Sequence, residues 1–375
     1  MGESDVVEYG VARPALARAN GGGYRRFFTQ EGEDPYSSVQ WERRDTEIRD
    51  REGKVIYFNP QVEFPTEWSK NARKITASKY FFKGDGDGYA ERSLRDLFGR
   101  VGETISQSGL TQGLFSDSKE AEAFRDDLAY LQLHQGHSFN SPVWFNVGLH
   151  QRYGVSETND ESSHWALMPD GSFTNRIDAY ERPQAAACFI QSIDDCMESI
   201  LTHAYKEGML FKFGSGTGSN FSPLRGINEP LSGGGVASGM LSFMRIYDII
   251  AGRIQSGGKT RRAAKMVICD CDHPDIFRFA HWKVNEEKKA LWLSANPVWG
   301  QRGSGDLDSE AYKTVDGQNG NNTVRVTDEF MNAALNGSEW NLWFRTRDRH
   351  TEEVDIDLAK YRDDRQLPDK RFIKR

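Results

Sequence analysis

Cys188-Phe189-Ile190, then an amphipathic run from Met197 to Met209, then Gly214-Ser215-Gly216-Thr217-Gly218-Ser219-Asn220: this succession decides the fold. A short apolar run reads as a buried strand, and apolar residues recurring at helical spacing read as a helix packed on it. The same alternation returns downstream, where a helical segment at Leu241 to Ile254 is followed by the apolar run Met266-Val267-Ile268. Strands alternating with amphipathic helices predict α/β architecture. Asp194 and Asp195 stand just before the first helix and are predicted to meet its unpaired N–H groups and the positive end of its dipole.

Upstream the texture differs. Leu94, Leu97, Phe98, Val101 and Ile105 recur at helical spacing, and Ala121 to Leu133 repeats the pattern, so residues 76–140 read as a helical domain. Residues 1–75 are polar, contain Asn20-Gly21-Gly22-Gly23, and read as a partly ordered leader. Residues 141–345 carry the α/β texture, and residues 346–375 form a charged tail short of apolar periodicity.

Composition narrows the function classes. With 375 residues, 37% hydrophobic and 27% charged, the chain can bury a large core. No stretch approaches the roughly 18 apolar residues of a membrane span, and Met1 to Asp5 lacks a signal peptide's basic and apolar regions, so a cytoplasmic protein without a membrane partner is expected. The net charge of -7 and the scattered basic residues argue against a protein that coats nucleic acid. Four cysteines are too few for a disulfide scaffold, so each is judged by its neighbours.

The glycines at 214, 216 and 218 predict a loop that approaches a phosphate or ribose closely, although a purely structural turn is the other reading. The stretch is neither a P-loop nor a dinucleotide fingerprint, since no Gly-Lys-Ser/Thr follows and Asn220-Phe221-Ser222-Pro223 does not continue a helix. A second Gly-rich stretch, Ser232 to Gly239, leads into a helix. A third, Gly257-Gly258-Lys259-Thr260-Arg261-Arg262, gathers cations suited to an anion, a composition found more often on solvated surfaces.

Cys269 and Cys271 lack the partners of a zinc site and read as buried small residues, so no metal site is expected. Cys196 lies among acidic residues, a setting that disfavours the thiolate. Cys188 follows Ala185-Ala186-Ala187, whose small side chains leave space beside the sulfur for a substrate.

Phe139-Asn140-Ser141-Pro142-Val143-Trp144-Phe145-Asn146, the Cys188 strand, Gly214 to Gly226, Gly257 to Lys265 and Gly317 to Val326 occur in an order that resembles the adenosylcobalamin-dependent (class II) ribonucleotide reductases, amino-terminal part of the catalytic subunit. The resemblance runs from about Ala77 to Trp343 and is closer to the cobalamin branch than to class I enzymes. It implies a helical N-terminal domain followed by part of a ten-stranded α/β barrel, incomplete in this chain. Ser141, Ala187, Cys188 and Gly216 correspond to substrate-contacting positions, and Cys188 to one half of the redox pair. Ser238, Gln318, Asn319, Asn321 and Asn322 fall in segments that resemble effector and specificity loops.

The resemblance further implies adenosylcobalamin, a ribonucleotide substrate, deoxynucleotide or ATP effectors, a thioredoxin-like reductant and a possible homodimer. The likeness to longer enzymes points to diphosphates. The family's radical cysteine stands in an Asn-x-Cys-x-Glu motif that does not occur in these residues, and neither does the second redox cysteine. Two expectations follow: a split or truncated enzyme completed by a C-terminal reductase chain, or an inactive nucleotide-binding or regulatory remnant.

Overall fold

The computed structural model describes residues 23–50, 52–84, 90–156, 165–168, 171–174, 177–254, 263–295 and 310–346. Two units divide the chain between Ala187 and Cys188.

In the first unit, β1 (Trp41–Arg49) and β2 (Val55–Pro65) form an antiparallel hairpin. Its register slips between Arg44 and Thr46, and the Asp45 carboxylate closes the bulge by accepting from Gln61 N at 2.9 Å and Gln61 Nε2 at 3.0 Å. Gln61 takes φ 50 there. Val62 and Phe64 of β2 are buried in the core. Part of the expected polar leader is therefore a core-forming hairpin. Its outward positions carry Arg, Glu and Asp, which mask the period-2 pattern of a strand with one wet face.

Helix α1 (Lys70–Lys79) starts at Ser69, whose Oγ accepts from Ala72 N, and α2 (Leu94–Thr111) starts at a capping box made by Ser93 and Asp96. Asp117 caps α3 (Ser118–Leu133) by accepting from Glu120 N. Leu94, Leu97, Phe98 and Val101 are buried together with Leu133, as their spacing predicts, and Ile105 packs at the margin. Pro142 sits in the first turn of α4 (Ser141–Asn146), and α5 (Leu149–Tyr153) follows. Arg100 is buried against Glu91, with Nε to Oε1 at 2.6 Å, and donates to the carbonyls of Trp144 and Val147. A short ladder, β3 (Ala166–Leu167) with β4 (Phe173–Thr174), completes the described strands of this unit.

In the second unit, β5 (Cys188–Gln191), α6 (Met197–Lys212), β6 (Gly216–Asn220), α7 (Met240–Arg253), β7 (Lys265–Asp270), α8 (Ile276–Ser294), α9 (Glu310–Lys313), β8 (Gly320–Arg325) and α10 (Asp328–Asn336) alternate along the chain. The strands make one parallel sheet in the order β5-β6-β7-β8. Parallel neighbours need long crossovers, and α6, α7 and α8 supply them. The sheet does not close, so β5 and β8 are edges among the described residues. Ile200, Phe221, Met244, Tyr247, Val267, Cys269 and Phe279 form the core of this unit, where each large apolar side chain contributes about 1.5–3 kcal/mol. The α/β expectation holds, with a helical part ahead of an incomplete barrel. The contact boundary lies at Ala187/Cys188 where the sequence suggests 140/141, and residues 347–375, including the expected charged tail, lie outside the described residues.

Candidate active site

Cys188 opens β5 and pairs in register with Gly216 of β6. It is exposed. A Cβ placed on Gly216 would lie 2.8 Å from the Ala264 carbonyl oxygen and 3.2 Å from Cys188 Sγ. One on Gly218 would lie 3.0 Å from Ile190 Cδ1. Successive residues of a strand face opposite ways, so Cys188, Ile190, Gly216 and Gly218 share one face of the sheet. That face carries the exposed Cys188 beside glycines that are themselves buried.

Residues 216–220 therefore form a strand, which corrects the expectation of a ligand-cradling loop. Alternate glycines are required because the Ala264 carbonyl oxygen and the side chains of Cys188 and Ile190 fill the space beside them. Only Gly214, at φ 87, turns the chain out of α6.

The opposite face carries a polar network that sequence reading missed. Thr217 Oγ1 donates to Glu207 Oε1 at 2.8 Å, and Ser219 Oγ lies 2.8 Å from His203 Nε2. His203 and Glu207 are one helical turn apart on α6, a spacing that matches alternate residues of β6. Lys265, at the start of β7, pairs with the same Glu207, and its ammonium lies 4.4 Å from the Tyr247 ring centroid. Burial lowers the Lys265 pKa against the opposing pull of Glu207. Burial, reinforced by the charges of Lys265 and Lys206, pushes His203 down to about 4, so the ring is neutral at physiological pH. The available signal was a His-x-x-x-Glu helix facing a Thr-x-Ser strand.

The other expected residues are dispersed. Ser141 lies in the first unit as the first residue of α4, with its Oγ 3.3 Å from the Tyr80 hydroxyl. Ala187 is half-buried just before β5. Ser238 Oγ lies 2.6 Å from Ser242 Oγ at the start of α7. Asn321 and Asn322 belong to β8, which corrects the reading of that whole segment as a loop. Asn319 is fastened to α7, since Asp248 accepts from its N–H at 2.9 Å and from Gly317 N at 2.9 Å. Gln318 is exposed between them. The cationic cluster Gly257–Arg262 lies outside the described residues.

Asp194 and Asp195 do not cap α6. Cys196 occupies the N-cap without a side-chain hydrogen bond, and Asp195 instead receives Arg225 Nε at 2.6 Å. An arginine thirty residues downstream outcompetes the helix end. Cys269 and Cys271 are buried, as expected, and burial pushes both thiols up. Among the described residues no group of three or more His, Cys, Asp or Glu is arranged to hold a metal ion, and no helix is long and apolar enough to cross a membrane.

A cleft of 480 Å³ lies between the end of β5 and the first turns of α6, with Gln191, Cys196 and His203 in its lining.

Residues 186–371 match the family model described as ribonucleotide reductase, barrel domain, and residues 42–135 match that of class II vitamin B12-dependent ribonucleotide reductase. The vitamin B12-dependent ribonucleotide reductase of Rhodopirellula baltica is 44% identical over 340 residues, covering 89% of this chain and 32% of that protein. The protein of the same name from Streptomyces coelicolor is 44% identical over 351 residues, covering 92% of this chain and 33% of the relative. A vitamin B12-dependent ribonucleoside-diphosphate reductase of Thermoplasma acidophilum is 42% identical over 244 residues, covering 58% and 31%. The chain thus spans about a third of the length of the curated relatives it matches.

Proposed function

Because this chain belongs to the class II ribonucleotide reductases, we propose that it supplies part of the active site for reduction of ribonucleoside diphosphates to deoxyribonucleotides. One observation carries the reading: Cys188 is exposed at the start of the edge strand β5, in register with Gly216 of β6, so a ribose can reach the sulfur from the open side. Ser141 and Ala187 are the further substrate contacts. Ser238, Gln318, Asn319, Asn321 and Asn322 are proposed to serve deoxynucleotide or ATP effectors, the amides offering donors and acceptors to base edges.

In the proposed reaction Cys188 and a second thiol together give two electrons and two protons. The 2′ carbon gains hydrogen, its hydroxyl leaves as water, and the thiols become a disulfide. A thioredoxin-like dithiol then reduces that disulfide by exchange. The second thiol and the Asn-x-Cys-x-Glu motif do not occur in these residues. They are proposed to come from a complementary C-terminal reductase segment or chain, which also pairs with the open edge of β5.

Adenosylcobalamin is the proposed cofactor, with a radical as the chemistry it supplies. The cofactor's seat is proposed to be completed by the same C-terminal segment. A second copy of the chain is a proposed partner, supported by the exposed Met197, Leu201 and Tyr205 along one stripe of α6 and Ile246 and Ile249 on α7.

The test is turnover of ribonucleoside diphosphates by this chain combined with a polypeptide bearing Asn-x-Cys-x-Glu, adenosylcobalamin and a dithiol. Turnover that needs both polypeptides and is lost in Cys188→Ser is expected. Nucleotide binding without turnover in every pairing would identify the alternative, a nucleotide-binding or regulatory chain.

A further inference from the structure

The cleft between β5 and α6 is lined by two residues that each carry a buried polar atom with no hydrogen-bond partner, His203 Nδ1 and Gln191 Nε2. They come from different elements, and His203 is only 3% exposed. An unmet buried donor costs about 1–3 kcal/mol, so two in one cleft are a feature a ligand can relieve.

Their chemistry selects the ligand. The buried Ser219 Oγ lies 2.8 Å from His203 Nε2, and with that hydroxyl as the donor the neutral ring carries its proton on Nδ1. Gln191 Nε2 is also a donor. Lys206, Ser192 and Thr202 line the same cleft, with Glu198 as the opposing charge. We propose that this cleft binds a small oxyanion, a phosphate or carboxylate group, held by His203 Nδ1–H, Gln191 Nε2 and Lys206. Burial is the main cause of the depressed His203 pKa, and the further lowering by the charges of Lys265 and Lys206 fits a positive local potential at the ring. None of Ser141, Ala187, Cys188 and Gly216 lines the cleft, so the proposal goes beyond the reductase reading and does not depend on it.

The experiment follows the imidazole resonances of the full chain, ¹⁵N-labelled at histidine, through separate titrations with inorganic phosphate and acetate, with chloride at matched ionic strength as reference. A saturable shift at His203 Nδ1–H is expected. The apparent affinity should fall about tenfold or more in Gln191→Leu, as loss of a hydrogen bond to a charged group implies. It should fall also in Lys206→Ala, whose exposed position leaves folding untouched. Tighter phosphate binding identifies a phosphorylated ligand, and tighter acetate binding a carboxylate. No response beyond the chloride reference, or a response unchanged in both variants, overturns the proposal.

Discussion

Gly216→Ala tests the geometry around Cys188. The added Cβ would stand 2.8 Å from the Ala264 carbonyl oxygen, whereas carbon–oxygen contacts of this kind settle near about 3.3 Å. That oxygen is backbone leading directly into β7, so relief requires a shift of roughly half an ångström in a strand bonded on both sides. Overpacking of this kind costs about 1–3 kcal/mol. For a unit of this size each kcal/mol lowers Tm by about 2–4 °C. The second approach, 3.2 Å to Cys188 Sγ, is relieved more cheaply because the exposed thiol can rotate outward. The assay is calorimetric unfolding together with the rate of thiol labelling, using Cys188→Ser to identify the Cys188 signal. Gly233→Ala is the control, since a Cβ there meets nothing within 4 Å. Loss of several degrees in Gly216→Ala, none in Gly233→Ala, and Cys188 labelling at least as fast as in the parent are expected. Equal stability of the two variants would refute the argument that crowding requires glycine at 216.

The His203 ring binds its proton near pH 4 in the fold but near its ordinary 6.5 when unfolded, so unfolding takes up a proton between those values. Stability should therefore rise with pH across that window by at most about 3 kcal/mol, and denaturant titrations of His203→Gln should flatten the rise. Arg100→Met leaves Glu91 buried without its partner and should cost about 3–5 kcal/mol, while Arg100→Met with Glu91→Leu recovers most of it; a double variant as unstable as the single one would contradict this. Asp127 accepts from Tyr24 Oη, Phe27 N, Phe28 N, Thr29 N and Thr29 Oγ1 at 2.6–3.1 Å, strapping residues 24–29 to α3. Burial works to raise its pKa, but these hydrogen bonds outweigh it and hold the carboxyl below the ordinary 3.8. The strap's stabilisation is accordingly complete above that value and lost as pH falls through the lower folded one; proteolysis before residue 30 should quicken in Asp127→Ala at neutral pH.

The same sequence feature was readable in one respect and misleading in another, and the difference is physical. Local patterns that satisfy themselves were legible: Leu94, Leu97, Phe98 and Val101 at helical spacing, the apolar runs of β5 and β7, and the buried Cys269 and Cys271. Patterns that depend on a distant neighbour were not. Glycine at alternate positions has one local meaning, freedom of the backbone, but at 216 and 218 it answers crowding by Cys188, Ile190 and Ala264, which only the sheet brings near. Asp195 has the local look of a helix cap and is taken by Arg225, thirty positions away in sequence. His203, Glu207, Thr217, Ser219 and Lys265 read singly as ordinary polar residues, and become a network only when α6 is laid across β6 and β7. In the candidate site, then, resemblance could name Cys188 and Gly216 as substrate-contacting positions, but neither their pairing across two strands nor the buried charge behind them. That network ties α6, the helix after β5, to β6 and β7 through side chains on the face of β6 opposite Gly216, so it is invisible to any reading that follows one element at a time.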